Sequence, residues 1–128
     1  MKKIKSQIKS LLEVVDSGEI NRFLGVNFAR KDKIITISQE SYIEELCERY
    51  NLDKAKPMNK LPQLDQIDLS NEPLDEYFEN DARSIVGALL FIANVSRGDI
   101  SSAVSMLSRY LHKPSKKLWI YSRQVLKY

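Results

Sequence analysis

The 128-residue sequence holds one cysteine, Cys47, and one histidine, His112. Those counts leave no Cys/His set for a metal site and no internal disulfide, and one histidine without spacing support makes no Ser-His-Asp case. The four glycines stand apart at 18, 25, 87 and 98, so there is no glycine-rich phosphate loop. No apolar run approaches the roughly 18 residues of a membrane span. The basic start, Met1-Lys2-Lys3-Ile4-Lys5, leads into an amphipathic stretch with no signal-peptide core. A lone thiol with no secretory or membrane signal fits a reducing compartment, so the expected location is cytoplasmic or nuclear. What is present is ordinary for a globular protein: 43% hydrophobic and 29% charged residues, in a chain long enough to bury one core.

The organising stretch is the last third, Asp81 to Tyr128. Ile85, Val86, Leu89, Leu90 and Ala93 recur at helical spacing, and so do Ile100, Ala103, Val104, Leu107 and Leu111. Gly98 breaks the chain between these two helices, and Asp99 is placed to cap the second. Pro114 ends that helix and suits the first turn of a third, with Leu118, Tyr121, Val125 and Leu126 as its apolar positions. From Ala82 to Tyr128 there are eight basic residues (Arg83, Arg97, Arg109, Lys113, Lys116, Lys117, Arg123 and Lys127) and one acid, Asp99. Eight minus one gives +7 on these helices, against +3 for the whole chain.

Upstream, Ile4, Ile8, Leu11, Leu12 and Val15 share one face of an N-terminal helix that Asp16-Ser17-Gly18 should end. Leu24, Val26 and Phe28 then alternate along a strand from Arg22 to Arg30. Lys31-Asp32-Lys33 is a turn, and Ile34-Ile35-Thr36-Ile37 a second strand, giving a hairpin with Leu24, Val26 and Phe28 on its buried face. Ser38 is a plausible N-cap for a helix that turns Tyr42, Ile43, Leu46, Cys47 and Tyr50 toward a core. From Ala55 the pattern breaks. Pro57, Pro62 and Pro73 fall here, and Leu61 to Asp81 carries seven acids and no lysine or arginine. The expected organisation is an α-β-β-α unit over 1–54, an acidic connector over 55–80 and basic helices over 81–128.

No catalytic constellation emerges. His112 sits at a helix end, where capping or solvation is its ordinary role, and Cys47 lies on an apolar helical face as a core residue would. The acids of 65–81 lack the spacing of a calcium loop. The basic helices carry the stronger signal. A charge-rich helix is most often a solvated face, but this excess is one-signed, runs through three helices and clusters at Lys113, Lys116, Lys117, Arg123 and Lys127. Such a surface binds nucleic acid through phosphates, without sequence preference. Trp119 and Tyr121 interleave with these charges at positions that also serve the apolar face.

Two blocks of the chain resemble the reverse transcriptase of Ty/copia-type retrotransposons. The first runs through Gly18-Glu19-Ile20, Phe23-Leu24-Gly25-Val26, Ile37-Ser38-Gln39, Tyr42-Ile43 and Lys56-Pro57. The second runs from Arg83-Ser84-Ile85-Val86-Gly87-Ala88-Leu89-Leu90 through Leu107-Ser108-Arg109-Tyr110, Lys113-Pro114 and Trp119 to Val125-Leu126-Lys127-Tyr128. The resemblance implies an α+β fold: the end of a palm with a primer-grip-like hairpin at Phe23, Leu24 and Gly25, then a mainly helical thumb and connection. It also implies an RNA or DNA template-primer duplex as ligand, held by Lys113, Lys116, Lys117, Arg123 and Lys127. Polymerases of this family hold two Mg²⁺ ions on paired aspartates, and this sequence has no Asp-Asp pair. The expectation is therefore a Pol segment lying just downstream of the catalytic centre and ending before ribonuclease H. It should have no catalytic residue, metal site or cofactor of its own. Gly98 stands where the family usually has proline. Two other readings stay open: a domesticated helical module that binds protein, such as element-encoded Pol or Gag, and a non-functional pseudogene product. None involves a membrane.

Overall fold

The helical periodicity of the last third comes from three helices that share one core. The computed structural model describes residues 2–63 and 76–128. Among them the order is α1 (Lys2–Leu11), β1 (Arg22–Phe23), β2 (Val26–Lys31), β3 (Ile34–Ser38), α2 (Glu40–Arg49), α3 (Glu76–Val95), a 3₁₀ turn (Gly98–Ile100), α4 (Ser101–Ser108) and α5 (Lys116–Leu126). The fold class is α+β, with an antiparallel sheet ordered β1-β2-β3.

Helix α3 is the spine. Ile85, Val86, Leu89 and Ile92 are buried along it and meet Val104 and Leu107 of α4 and Leu118 and Val125 of α5. Leu46 of α2, with Tyr50 and Leu52 just after it, completes the same core. Each large aliphatic side chain removed from water contributes about 1.5–3 kcal/mol, so the burial is concentrated on these helices. Gln39, itself buried, adds a polar tie by accepting the Ser96 hydroxyl at 2.7 Å, which joins the β3–α2 corner to the end of α3. Helix α3 begins at Glu76, upstream of Asp81. Of the expected connector, Pro73 and the acids of 65–75 lie outside the described residues. The backbone over 57–63 is irregular and is tied down where the Met58 N–H donates to the Lys127 carbonyl at 2.9 Å.

The local turns differ from the sequence reading in five places. Helix α1 stops at Leu11 rather than near Val15. Leu11, Leu12 and Val15 are exposed, and a helix without a packed face has little to extend it, least of all through the β-branched Val14-Val15 pair. Gly18 does adopt φ +81, in a turn where its N–H donates to the Asp16 carboxylate at 3.1 Å. At α2 the capping position is Gln39, although the Ser38 hydroxyl still accepts the Glu40 N–H. Asp99 bonds to Arg97 instead of capping α4, whose N-cap is Ile100. Pro114 is buried one residue before the α5 cap, Ser115, whose hydroxyl accepts the Leu118 N–H at 3.2 Å.

The fifth difference is the largest. The expected strand from Arg22 to Arg30 folds back on itself at Leu24-Gly25, so the hairpin becomes a three-stranded meander. Phe23 pairs with Val26, and Leu24 and Gly25 have φ of +48 and +77, the mirror-image two-residue turn that suits right-handed strand twist. Leu24 is therefore 75% exposed, and it does not join Val26 on a buried face. Leu24→Asp is accordingly expected to be neutral or slightly stabilising in a thermal melt, because Asp tolerates positive φ better than Leu. Gly25→Ala should cost about 1–3 kcal/mol. Its φ is unfavourable for any side chain, and an added Cβ would meet the Tyr42 ring at 3.3 Å. Equal melting temperatures for Gly25→Ala and the parent would contradict this turn.

Candidate nucleic-acid interface

Helix α5 is amphipathic in charge as well as in hydropathy. Leu118, Ser122, Val125 and Leu126 are buried, and the Ser122 hydroxyl donates to the Leu118 carbonyl at 2.7 Å, which satisfies it inside the core. Positions 116, 120, 123 and 127 follow one another at spacings of four, three and four, so Lys116, Ile120, Arg123 and Lys127 form one stripe along the other side. Lys113 stands in the turn that leads into the helix. Among the described residues none of Lys113, Lys116, Lys117 and Lys127 is paired with an acid. Lys117, Arg123 and Lys127 are each half-buried and Lys116 is exposed; Lys117 sits about a quarter-turn from the stripe.

Arg123 is held in place by an aromatic neighbour. Its guanidinium lies 4.6 Å from the centroid of the Trp119 ring, which in turn meets Phe78 edge-on at 5.4 Å. The indole is thus covered on one face, which makes it a support for a cation rather than a platform for a base. Two other arginines of the region are differently engaged, and a third, Arg109, is exposed. Arg83 pairs with Glu79 and donates to the Leu111 carbonyl. Arg97 is bonded to Asp99 at 2.9 Å and lies over the Tyr128 ring. Hydrogen bonding from Arg97 holds the Asp99 carboxyl below its usual range. Whatever this pair adds to stability is present above the unfolded carboxylate value and is lost as pH falls through the lower folded one. Melts of the parent and Asp99→Asn should therefore differ at neutral pH and converge in strong acid.

His112 is exposed, with its ring Nδ1 3.2 Å from the Arg109 carbonyl, in keeping with a helix-end role. Burial pushes the Cys47 thiol up from its ordinary value. The Phe23, Leu24 and Gly25 set sits on a different element from the basic stripe. It forms the exposed tip of the β1–β2 turn and backs onto Tyr42 of α2 and Phe91 of α3. Among the described residues no three His, Cys, Asp or Glu side chains converge as a metal site requires. No helix among them is long and apolar enough to cross a membrane. The sequence reading missed a groove beside α2, although Glu44 and Glu48 at one spacing of four and Ile43 and Cys47 at another were a usable signal.

Comparison with known proteins gives these surfaces a context. No family model matches the chain, and no solved structure matches it. The chain is 30% identical, over an alignment that covers 98% of its length, to the retrovirus-related Pol polyprotein from transposon TNT 1-94 of Nicotiana tabacum. It is 32% identical over 98% of its length to a putative transposon Ty5-1 protein of Saccharomyces cerevisiae. It is 34% identical over 90% of its length to the retrovirus-related Pol polyprotein from transposon RE1 of Arabidopsis thaliana. The chain is homologous to a segment of retrotransposon Pol polyproteins. It spans 10%, 41% and 8% of those three relatives, so it corresponds to less than half of each.

Proposed function

We propose that this Pol-like segment comes from the reverse-transcriptase region and acts as a duplex-gripping, thumb-like element with no polymerase activity alone. The observation that carries the reading is the stripe of Lys116, Arg123 and Lys127 on a helix whose opposite face is locked into the core. A rigid row of cations without a base-reading set suits a surface that must hold phosphates and still let the duplex slide. The exposed turn at Phe23, Leu24 and Gly25 takes the primer-grip-like role in this reading, and the absent Asp-Asp pair leaves no means of positioning Mg²⁺. The location that follows is cytoplasmic or nuclear.

Anisotropy titration of labelled RNA–DNA hybrid and duplex DNA, in two unrelated sequences each, tests this. Weak binding of equal strength to both sequences, with no primer extension in Mg²⁺ or Mn²⁺, is the expected result. Chain-dependent extension above a mock purification would overturn the inactive assignment, and absence of binding would overturn the grip. Ile34, Ile35 and Ile37, all exposed on β3, favour a second reading as a protein-contact module for element-encoded Pol or Gag. Failure to bind nucleic acid, with the fold intact, would move the assignment there.

A further inference from the structure

Between α2, the irregular segment that follows it and the C-terminal end of α5 lies an open groove of about 540 Å³. Its floor is apolar, with Ile43, Leu52 and Leu126 among its lining. Its rim carries three acids, Glu44, Glu48 and Asp53, against one cation, Lys127. Cys47, the chain's single thiol, lines it as well.

Helix α1 has the complementary chemistry. Its sequence, KKIKSQIKSL, has four lysines and no acid. Ile4, Ile8 and Leu11 recur at spacings of four and three, which puts them on one stripe. They are 61%, 44% and 82% exposed, and none of them belongs to the core. An apolar stripe on a helix is normally buried against something; here Ile8 shares a shallow hollow with Val14 and Val15 of the segment after α1, and no other described element covers the stripe. No residue of α1 lines the groove of its own chain.

We propose that α1 of one copy docks in the α2–α5 groove of a second copy, and the second copy's α1 in the groove of the first. The occupant follows from charge. Of the four lysines of α1, Lys5 is paired with Asp16 of its own chain at 2.9 Å. The remaining basic charge meets a rim with three acids, while the isoleucines and leucine meet an apolar floor. A reciprocal contact covers both unpartnered faces of both copies at once and closes the assembly as a two-fold dimer. The fold of each copy is unchanged, because α1 and the groove are already formed and accessible. Lys116 and Arg123 do not line the groove, whereas Lys127 stands on its rim, so docking shares one cation with the basic stripe and leaves the other two free.

Sedimentation of the full chain across a dilution series tests this, with a concentration-dependent dimer that weakens as salt rises as the expected result. Lys5→Glu/Lys9→Glu in one chain and Glu44→Lys/Glu48→Lys in another should each weaken self-association by roughly tenfold or more. Mixed, the two variants should form a heterodimer, because both reciprocal contacts are then complementary again. A Leu11→Cys variant should form an interchain disulfide with Cys47 under mild oxidation, visible as a dimer on a non-reducing gel. Leu11 is exposed, so the substitution leaves the core intact. Four results would overturn the proposal. They are a monomer at every concentration, a dimer indifferent to the charge reversals, a Leu11→Cys disulfide confined to one chain, and α1-dependent binding to phosphatidylserine vesicles by a chain that stays monomeric.

Discussion

Leu89→Asp is expected to leave the chain without a cooperative thermal transition, whereas Leu24→Asp should melt like the parent. The substitution is chemically identical, so the contrast isolates position. Leu89 is 1% exposed in the middle of α3, between the helices that meet there. A carboxylate at that site has no partner among the core residues. Burying it without one costs several kcal/mol, in addition to the apolar packing that the leucine supplied. A domain's whole stability is about 5–15 kcal/mol, so the folded state should not survive. The milder Leu89→Ala should remain folded and lose about 2–5 kcal/mol, the usual range for a leucine truncated in a packed core. Circular dichroism melts of the three variants against the parent are sufficient. A sharp transition in Leu89→Asp at the parent's temperature would mean that α3 is not the centre of the core.

The second large effect is electrolytic. If Lys113, Lys116, Arg123 and Lys127 each neutralise one phosphate, the log–log slope of affinity against salt on B-form DNA should be about −3.6, or about −0.9 per phosphate. Between 50 and 200 mM salt the affinity should then fall by about two orders of magnitude. Charge reversal at Lys116, Arg123 and Lys127 should flatten the slope to about −0.9 or less and weaken binding equally on every probe sequence. Lys117→Glu alone should matter less, since its side chain lies about a quarter-turn off the stripe. Lys31→Glu/Lys33→Glu in the β2–β3 turn serves as the control on another element. A slope near zero, or one that the triple reversal leaves unchanged, would remove α5 as the binding surface.

Trp119→Ala would separate two roles for the ring that supports Arg123. If the indole only positions the guanidinium, its loss should weaken binding without changing the salt slope, since the charge remains. A changed slope would mean that the charge itself has moved out of reach of the duplex.

Much of this arrangement was legible in the sequence. The helical spacing of Ile85, Val86, Leu89, Val104, Leu107, Leu118 and Val125 determined three helices with one buried side each, because few other patterns hide that many aliphatic residues together. The one-signed charge of the last third determined that the exposed side would be basic, since lysine and arginine cannot stay inside unpaired. The resemblance to retrotransposon Pol rested on the order and spacing of short motifs, and those are linear properties. The turn at Leu24-Gly25 was not legible. Leu24, Val26 and Phe28 alternate as a strand would, and only pairing of Phe23 with Val26, with Gly25 pressed against Tyr42, makes positive φ at a leucine worthwhile. Likewise Leu11, Leu12 and Val15 have the pattern of a buried helical face, but burial needs a partner, and periodicity does not say whether one is there. Tertiary structure alone decided which basic residues remain available. Glu79 and Asp99 engage Arg83 and Arg97, while the register of α5 on its core leaves Lys116, Arg123 and Lys127 in one stripe away from its buried face. Charge composition is additive along a chain, but which charges face outward depends on packing.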